Sequence, residues 1–384
     1  DTATGGGRGL IRDQGDRHRG EQPVGHVLLS PRELICGERS LPASHVSWLA
    51  TLPEYRRQGL AACLLQAARQ SMLRRRSIVA TAWCQQPEFL ARRGWVACAT
   101  RQFSHADPRH VLTRLGQQPA DQLSIRPWRR SEAAALVDLH QARAKTSWGA
   151  FVRSEAVWQW QTSHSRYDRI YVAVEEHSSS GPGDRGRKIV GYAALRGARI
   201  MELFAAADHP LAARQLLARA CSDAIERGEP TVRLDAPPFD PLHRVMQRAG
   251  GRFVLSEMEH GNVLMAKLFD PIHLLQQMRG DIFARARKAG LSLPLELGLL
   301  VEGEKFQLSL TRRSAKIVEG KLGRSYLTCG RGEFSRLLLG DFDVAKAEAA
   351  ENIGASTRVA IEVARALLPY RPLWFPPLDH LPAE

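Results

Sequence analysis

The sequence predicts two α/β units followed by an α+β unit. Three observations carry that prediction. The order strand, long amphipathic helix, strand, Pro, short helix, Gly occurs twice, closing with "TAWCQQPEFLARRGW" (81–95) and again with "DAPPFDPLHRVMQRAGGRF" (235–253). From "FDPIHLLQQM" (269–278) onward the pattern changes to short alternating strands separated by turn glycines. The 384 residues, 44% apolar and 24% charged, suffice for several cores and have the proportions of a soluble globular protein.

Residues 1–22 are rich in Gly and charge without apolar period, which reads as a disordered lead. Strand signals follow at "GHVLL" (25–29) and "HVSWLATL" (45–52), with "LICGERS" (34–40) between them. A helix is predicted from Gly59 to Arg75, then the strand "SIVATAW" (77–83), then the short helix "PEFLARR" (87–93) stopped by Gly94. A further apolar stretch ends near Leu115, and "GQQPADQ" (116–122) has linker composition. The second unit reads as strand "LSIRPW", helix "SEAAALVDLHQARA", strands "IYVAVEE", "KIVGYAAL" and "IMELFAAA", helix "LAARQLLARACSDAIERG", strand "TVRLDA" and helix "PLHRVMQRAGG". In the third, "LELGLLVEG", "KFQLSLT" and "SAKIVEG" read as antiparallel strands, and "RGEFSRLLLG" and "STRVAIEVARALLP" as helices, before a tail rich in Pro and aromatics. The divisions are 1–22, 23–117, 118–270 and 271–384.

Bulk chemistry narrows the function classes. No apolar run reaches a membrane span and no signal-peptide pattern opens the chain, which starts at Asp1. Six cysteines lie scattered without a CxxC pair, so metal spacing is absent, a disulfide framework is not indicated, and the compartment reads as cytoplasmic. The net charge of +14 points toward nucleic acid, but the arginines that dominate it are spread along the chain, and neither an RNA-binding signature nor interleaved aromatics accompany "RRR" at 74–76. A compositional bias toward Arg accounts for the charge better.

One junction carries chemistry. "SWLATLPEYRRQGLAACLLQAARQ" (47–70) passes from an apolar strand into an amphipathic helix through Arg56, Arg57, Gln58, Gly59, Leu60 and Ala61, which fit R/Q-x-x-G-x-G/A. The glycine permits a tight turn and close backbone approach, the helix start exposes N–H groups, and the arginines add positive charge: a phosphate cradle. As a bare pattern it is weak, and an ordinary strand-to-helix turn with exposed arginines would look similar. Its place between strand and long helix strengthens it.

Here the chain resembles the GNAT acetyltransferase superfamily and, more narrowly, the Eis-type members, in which two GNAT units precede a sterol-carrier-protein-like domain. "GERSLPASHVSWLATLPEYRRQGLAACLL" carries most of the resemblance, "PEFLARRGW" supports it, and the three-part organisation extends it over nearly the whole chain. The implied fold class is α/β and α+β: an acyl-CoA N-acyltransferase (GNAT) fold, a second degenerate GNAT-like unit, and an α+β sterol-carrier-like domain. The implied activity is transfer of an acetyl group from acetyl-CoA to a small-molecule or peptide amine, with no metal, no membrane partner and homo-oligomerisation left open. Leu49, Ala50 and Thr51 would present backbone to the pantetheine arm, and Arg56, Arg57, Gln58, Gly59, Leu60, Ala61 and Ala62 would hold the pyrophosphate. The second unit has "AAADHPLAARQLLA" at the corresponding place, without that Arg and Gly, and is expected to be structural and unable to bind CoA.

Two departures from the family stand out. Its general acid, a tyrosine, is replaced by Leu90, which cannot protonate a leaving thiolate. Its opening strand and two helices, which wall the acceptor site, have no counterpart before "PVGHVLL". The resemblance implies that a carboxylate delivered by the tail serves as base, so Asp379, His380 or the terminal carboxylate of Glu384 are candidates, expected to dock near Leu90. A solvated tail is the plain alternative, and Glu54 and Glu88 are reserve carboxylates, each more simply a surface residue. His45 reads as packing or surface, and Cys63 and Cys84 as small apolar residues rather than nucleophiles. A lipid tunnel in the third unit is weaker than simple shape complementarity to the first. A CoA-binding or purely structural relative without chemistry is the main competing reading.

Overall fold

A computed structural model describes residues 7–13, 22–98, 101–116, 123–146, 148–163, 167–176, 187–237, 239–256 and 263–379. The chain opens with strands β1 (Gly7–Asp13), β2 (Gln22–Cys36) and β3 (Arg39–Thr51), helix α1 (Leu60–Arg74), β4 (Val79–Cys84), α2 (Pro87–Ala91) and β5 (Val96–Ala97). Next come β6 (Arg101–Ala106), α3 (Pro108–Leu115), β7 (Leu123–Pro127), α4 (Ala133–Ala144), β8 (Trp148–Phe151), α5 (Glu155–Ser163), β9 (Arg169–Glu176), β10 (Arg187–Arg196) and β11 (Arg199–Ala205). They are followed by α6 (Pro210–Glu226), β12 (Val232–Leu234), α7 (Pro241–Arg248), β13 (Arg252–Ser256) and β14 (Val263–Leu268). The third unit holds α8 (Pro271–Lys288), β15 (Leu295–Val301), β16 (Glu304–Leu310), β17 (Ala315–Glu319), β18 (Tyr326–Cys329), α9 (Arg331–Leu338), α10 (Val344–Ala349), β19 (Gly354–Ala355) and α11 (Arg358–Leu367).

Local chemistry sets many of these boundaries. Three helices begin with Asp-Pro: in α3, α7 and α8 the aspartate side chain accepts from a backbone N–H of the first turn while the proline occupies the first helical position, where no donor is needed. Thr357 caps α11 in the same manner.

Strand pairing departs from the order expected from sequence. The first sheet runs β1-β2-β3-β4-β14-β5, with β8 on β2; the second runs β13-β6-β12-β11-β10-β9-β7; the third runs β17-β16-β15-β18-β19. The first two units therefore exchange strands. β6, which falls within the stretch 23–117, pairs with β12 and β13 of the second sheet, while β14, from the far end of 118–270, inserts between β4 and β5 of the first. Backbone donors seek any open edge in reach, so partner choice is not encoded in sequence adjacency. The lead is likewise corrected: within 1–22, Gly7–Asp13 forms a strand on β2, in register Gly7↔Leu29.

Each face of the first sheet has its own cover. On one face, Val27, Val46, Ala82 and Met265 pack against Leu64, Leu65 and Met72 of α1 and Leu90 of α2. On the other, Leu34, Ala43, Val79 and Leu264 belong to one core with Leu274, Met278 and Ile282 of α8, the third sheet, and Leu373 and Phe375 of the tail. The second sheet carries α3, α6 and α7 on one side, and α4, α5 and Trp374 and Leu378 of the tail on the other. The tail crosses β8 at Gly149 (φ +109), where a Cβ would lie 2.9 Å from the Trp374 backbone nitrogen. A side chain there would displace the Trp374 N–H···O=C Trp148 bond of 2.7 Å. Among the described residues no helix is long and apolar enough to cross a membrane.

Candidate functional site

The first sheet splits at one point. β3 and β4 are parallel partners from Ala43↔Val79 to Val46↔Ala82 and no further, although β3 continues to Thr51 and β4 to Cys84. A bulge sets the divergence. Opposite β2, Leu28 pairs with Ser47 but His26 pairs with Ala50, so β3 holds one extra residue there, and Trp48 takes φ +51. The edge of β3 from Ser47 to Thr51 thus faces a V-shaped gap instead of a strand, with the predicted residues Leu49, Ala50 and Thr51 along it.

The gap opens at the start of α1. After a short 3-10 turn at Pro53–Tyr55, Arg57 adopts φ +64 and Gly59 φ +82, and α1 begins at Leu60 with no side-chain cap. Left-handed residues in such a turn point successive N–H groups into one concavity, which favours an anion. A Cβ built on Gly59 meets nothing within 4 Å, so the concavity faces open space. Arg56, Arg57, Gln58, Leu60 and Ala61 are its neighbours along the chain. Ala62 is a partial exception, because its N–H already donates to the Gly59 carbonyl at 2.9 Å. Arg56 Nε reaches back to the Thr51 carbonyl (3.4 Å), tying the loop to the strand end.

Residues 16–98 match the acetyltransferase (GNAT) domain family. Solved structures similar to the whole chain include a GCN5-related N-acetyltransferase from Anabaena variabilis (TM-score 0.69, 15% identity, 94% of this chain and 88% of that one). Another from Kribbella flavida gives 0.66, 15%, 94% and 85%. Eis1 from Mycobacterium abscessus gives 0.63, 14%, 92% and 88%. At these identities the likeness establishes the fold. No curated protein sequence matches the chain.

A groove of about 830 Å³ runs along α1 beside β14, lined by Ala62, Cys63, Gln66, Arg69, Arg93 and Lys267. Lys267 Nζ donates to the Arg93 carbonyl at 2.5 Å, and its pKa is lowered by burial and then by Arg69. Leu90 is 3% exposed in the core between α1, α2 and the sheet. Burial pushes the Cys84 thiol up, which disfavours a thiolate nucleophile. Glu88 lies in the first turn of α2 and Glu54 in the 3-10 turn, both on the surface.

The opposite face of β3 is polar where the ladder ends. His45 is buried, its Nδ1 lies 2.9 Å from Thr81 Oγ1, and burial, aided by the Arg32 charge, pushes its pKa down to about 3. It is therefore neutral. The Ser47 hydroxyl, two residues on, is buried with no partner among the described residues. Phe151 meets His45 edge-on at 6.0 Å, and Phe375 of the tail meets Phe151 at 5.2 Å. The tail thus covers the His45 face, and the expected docking near Leu90 is corrected: α2 holds Leu90 on the other side of the sheet.

Asp379 ends the described tail as an anchor. Its Oδ1 accepts from Arg153 Nε at 2.8 Å and from Gln161 Nε2 at 3.2 Å. Arg153, fully buried, also donates through both terminal nitrogens to Glu202, at 2.9 Å to Oε2 and with a shorter bond to Oε1, and the Tyr192 hydroxyl donates to the same Oε2 at 2.9 Å. An oxygen engaged this way steadies the chain; it is poorly placed to collect a substrate proton. His380 and Glu384 lie outside the described residues. Sequence reasoning missed Arg153, since its partners are 49 and 226 residues away. His45 and Ser47, set between the apolar Ala43, Val46 and Leu49 of β3, were the local signal for the His45 face.

Proposed function

We propose that the chain is an acetyl-CoA-dependent N-acetyltransferase acting directly on an amine. One observation carries this reading: a single strand-to-helix run supplies both the V gap and the concave phosphate loop, so one extended phosphorylated thioester could occupy both. Its pyrophosphate would sit in the Arg57–Gly59 concavity and its arm would extend the β3 edge along Leu49–Thr51. Backbone N–H groups of that edge would polarise the thioester carbonyl. The amine nitrogen attacks the carbonyl carbon, the C–S bond breaks, and the thiolate takes its proton from water because Leu90 has none to give. The amine's proton passes to a carboxylate, for which we favour Glu384, with Asp379 as the anchor that fixes where the last five residues begin. The third unit, read as sterol-carrier-like, supports the face of the first sheet opposite α1. The buried Leu90 favours one competing reading, a relative that binds CoA without chemistry.

Thiol release from acetyl-CoA with a panel of polyamines, aminoglycosides and peptide amines tests the chemistry, and calorimetry on Gly59→Glu tests the site. The glutamate would place a carboxylate in the open space of the loop and abolish acetyl-CoA binding. Unchanged affinity in that variant would remove the loop as the cofactor site. Binding without thiol release on any amine would favour the competing reading.

A further inference from the structure

Helix α1 carries a strip of positive charge that extends well past the phosphate loop. Between Glu54 and Glu88 the sequence has no acidic residue, yet it holds arginines at 56, 57, 69 and 74–76. Arg69, Arg74, Arg75 and Arg76 are exposed, as is Arg92 just after α2. Arg93 and Lys267 stand half-buried in the groove beside Arg69. From Arg69 onward, none of these side chains has an ion-pair partner among the described residues. Arg93 is steadied instead by the Phe89 carbonyl, to which Nη1 donates at 2.7 Å, and by the Phe89 ring, 4.0 Å from its guanidinium carbon. Lys267 lies in the field of Arg69, with no carboxylate to offset it.

Few carboxylates stand nearby. Glu88 shares a shallow surface dent with Arg92 and Arg93. Asp270, after β14, is engaged in capping α8 through the His273 N–H at 2.8 Å. The end of α1 offers the 74–76 run about half a negative charge, which falls short of neutralising it. Like charges gathered without partners repel one another, so an anionic surface laid over them gains energy.

The strip also has a starting point and a length. It begins at the loop around Gly59 and follows α1 for 15 residues, which is about 22 Å at 1.5 Å per residue. A nucleotide seated at the loop leaves the far end bare. Leu73, 41% exposed, adds an apolar contact there.

We propose that this strip docks an acidic protein that carries the thioester on a phosphopantetheine arm. The proposal rests on the reading of the loop and V gap as the thioester site: the arm enters beside Gly59 and the carrier's body lies along α1. A folded body covers the length that a free cofactor does not, and its acidic surface complements the unpaired cations. In the transfer the amine attacks the thioester carbonyl, the C–S bond breaks, and the thiol stays on the carrier. A nucleic acid would meet the same charges but has no arm for the gap where the strip begins.

Calorimetric titration of the full chain with acyl carrier protein acetylated on its arm tests the proposal. One-to-one binding is expected, in competition with acetyl-CoA because both arms need the gap. Arg69→Glu, Arg75→Glu and Arg92→Glu together, all at exposed positions, should weaken carrier binding roughly tenfold or more while acetyl-CoA affinity stays within about twofold. Circular dichroism confirms that the variant is folded. The proposal is overturned by no carrier binding in a chain that binds acetyl-CoA, or by binding indifferent to the triple variant. Equal binding of a carrier that lacks the arm, or tighter binding of duplex DNA than of the carrier, overturns it as well. A chain that binds neither acetyl-CoA nor the carrier would remove the proposed cofactor site along with it.

Discussion

Replacing Arg153 by methionine should release the tail. In the folded chain this guanidinium is fully buried and binds Glu202 through both terminal nitrogens and Asp379 through Nε. Without it, the side-chain partners left among the described residues are Tyr192 for Glu202 and Gln161 for Asp379. Burial already raises the pKa of Glu202 from 4.5 with the arginine present. Holding that carboxyl protonated at pH 7 costs about 3.4 kcal/mol, from 2.5 pH units at 1.36 kcal/mol each. Removing one partner of a buried ion pair generally costs about 3–5 kcal/mol, so the two routes agree. For a cooperative body of 150–250 residues that is a fall in Tm of roughly 6–20 °C. The triple variant Arg153→Met, Glu202→Gln, Asp379→Asn removes the stranded charges and should recover most of the loss. Urea and thermal unfolding measure both, and chymotrypsin cleavage after Trp374, buried in the folded chain, reports whether the tail has left its seat. A loss below about 1 kcal/mol in the single variant, or a triple variant no more stable than the single, would refute the account of Arg153 as the clamp.

Two further outcomes follow from the same face of the sheet. Deleting His380–Glu384 leaves Asp379 on Arg153, so stability and acetyl-CoA affinity should hold while turnover falls roughly tenfold or more; full turnover would move the base to Glu54 or Glu88. His45 has its folded pKa lowered to about 3 from 6.5 by burial and the Arg32 charge. The neutral form's stability is therefore fully present above pH 6.5 and is lost as pH falls toward 3, by about 1.4 kcal/mol per pH unit. His45→Gln should flatten that part of the stability-pH curve, and an unchanged slope would show that His45 does not titrate as described.

What could be read from the sequence was local. Helix α1, the loop from Arg56 to Ala61 and the short helix at Pro87 follow from residues within a few positions of each other, because turn chemistry and helical period act at that range. The exchange of β6 and β14 could not be read so. Both are six-residue strands with no local signal for either sheet, and only the edges left open by the rest of the fold choose between them. Arg153 was hidden for a related reason, since "AFVRSEAVW" gives no hint that residues 202 and 379 complete its charge. The lead strand β1 escaped because glycines and charges mask a backbone that pairs on β2 without needing an apolar side-chain pattern.

The unit without a phosphate loop still bears on the first site. A V gap can direct a reaction only if both faces of its sheet are closed, and α1 and α2 close one. On the other face, β8 from the second unit pairs with β2, Phe375 seals Phe151, and the tail is held there by Arg153 and Glu202, again from the second unit. Asp379 is close enough to Arg32 on β2 for its charge to oppose the pKa depression that burial imposes on that guanidinium. A change that loosens the second unit around Glu202 therefore shifts the tail across His45 without touching α1 or its loop. For the proposed acetyl transfer, that separation predicts which property suffers first: turnover of the amine, through the placement of the tail, before the affinity for acetyl-CoA.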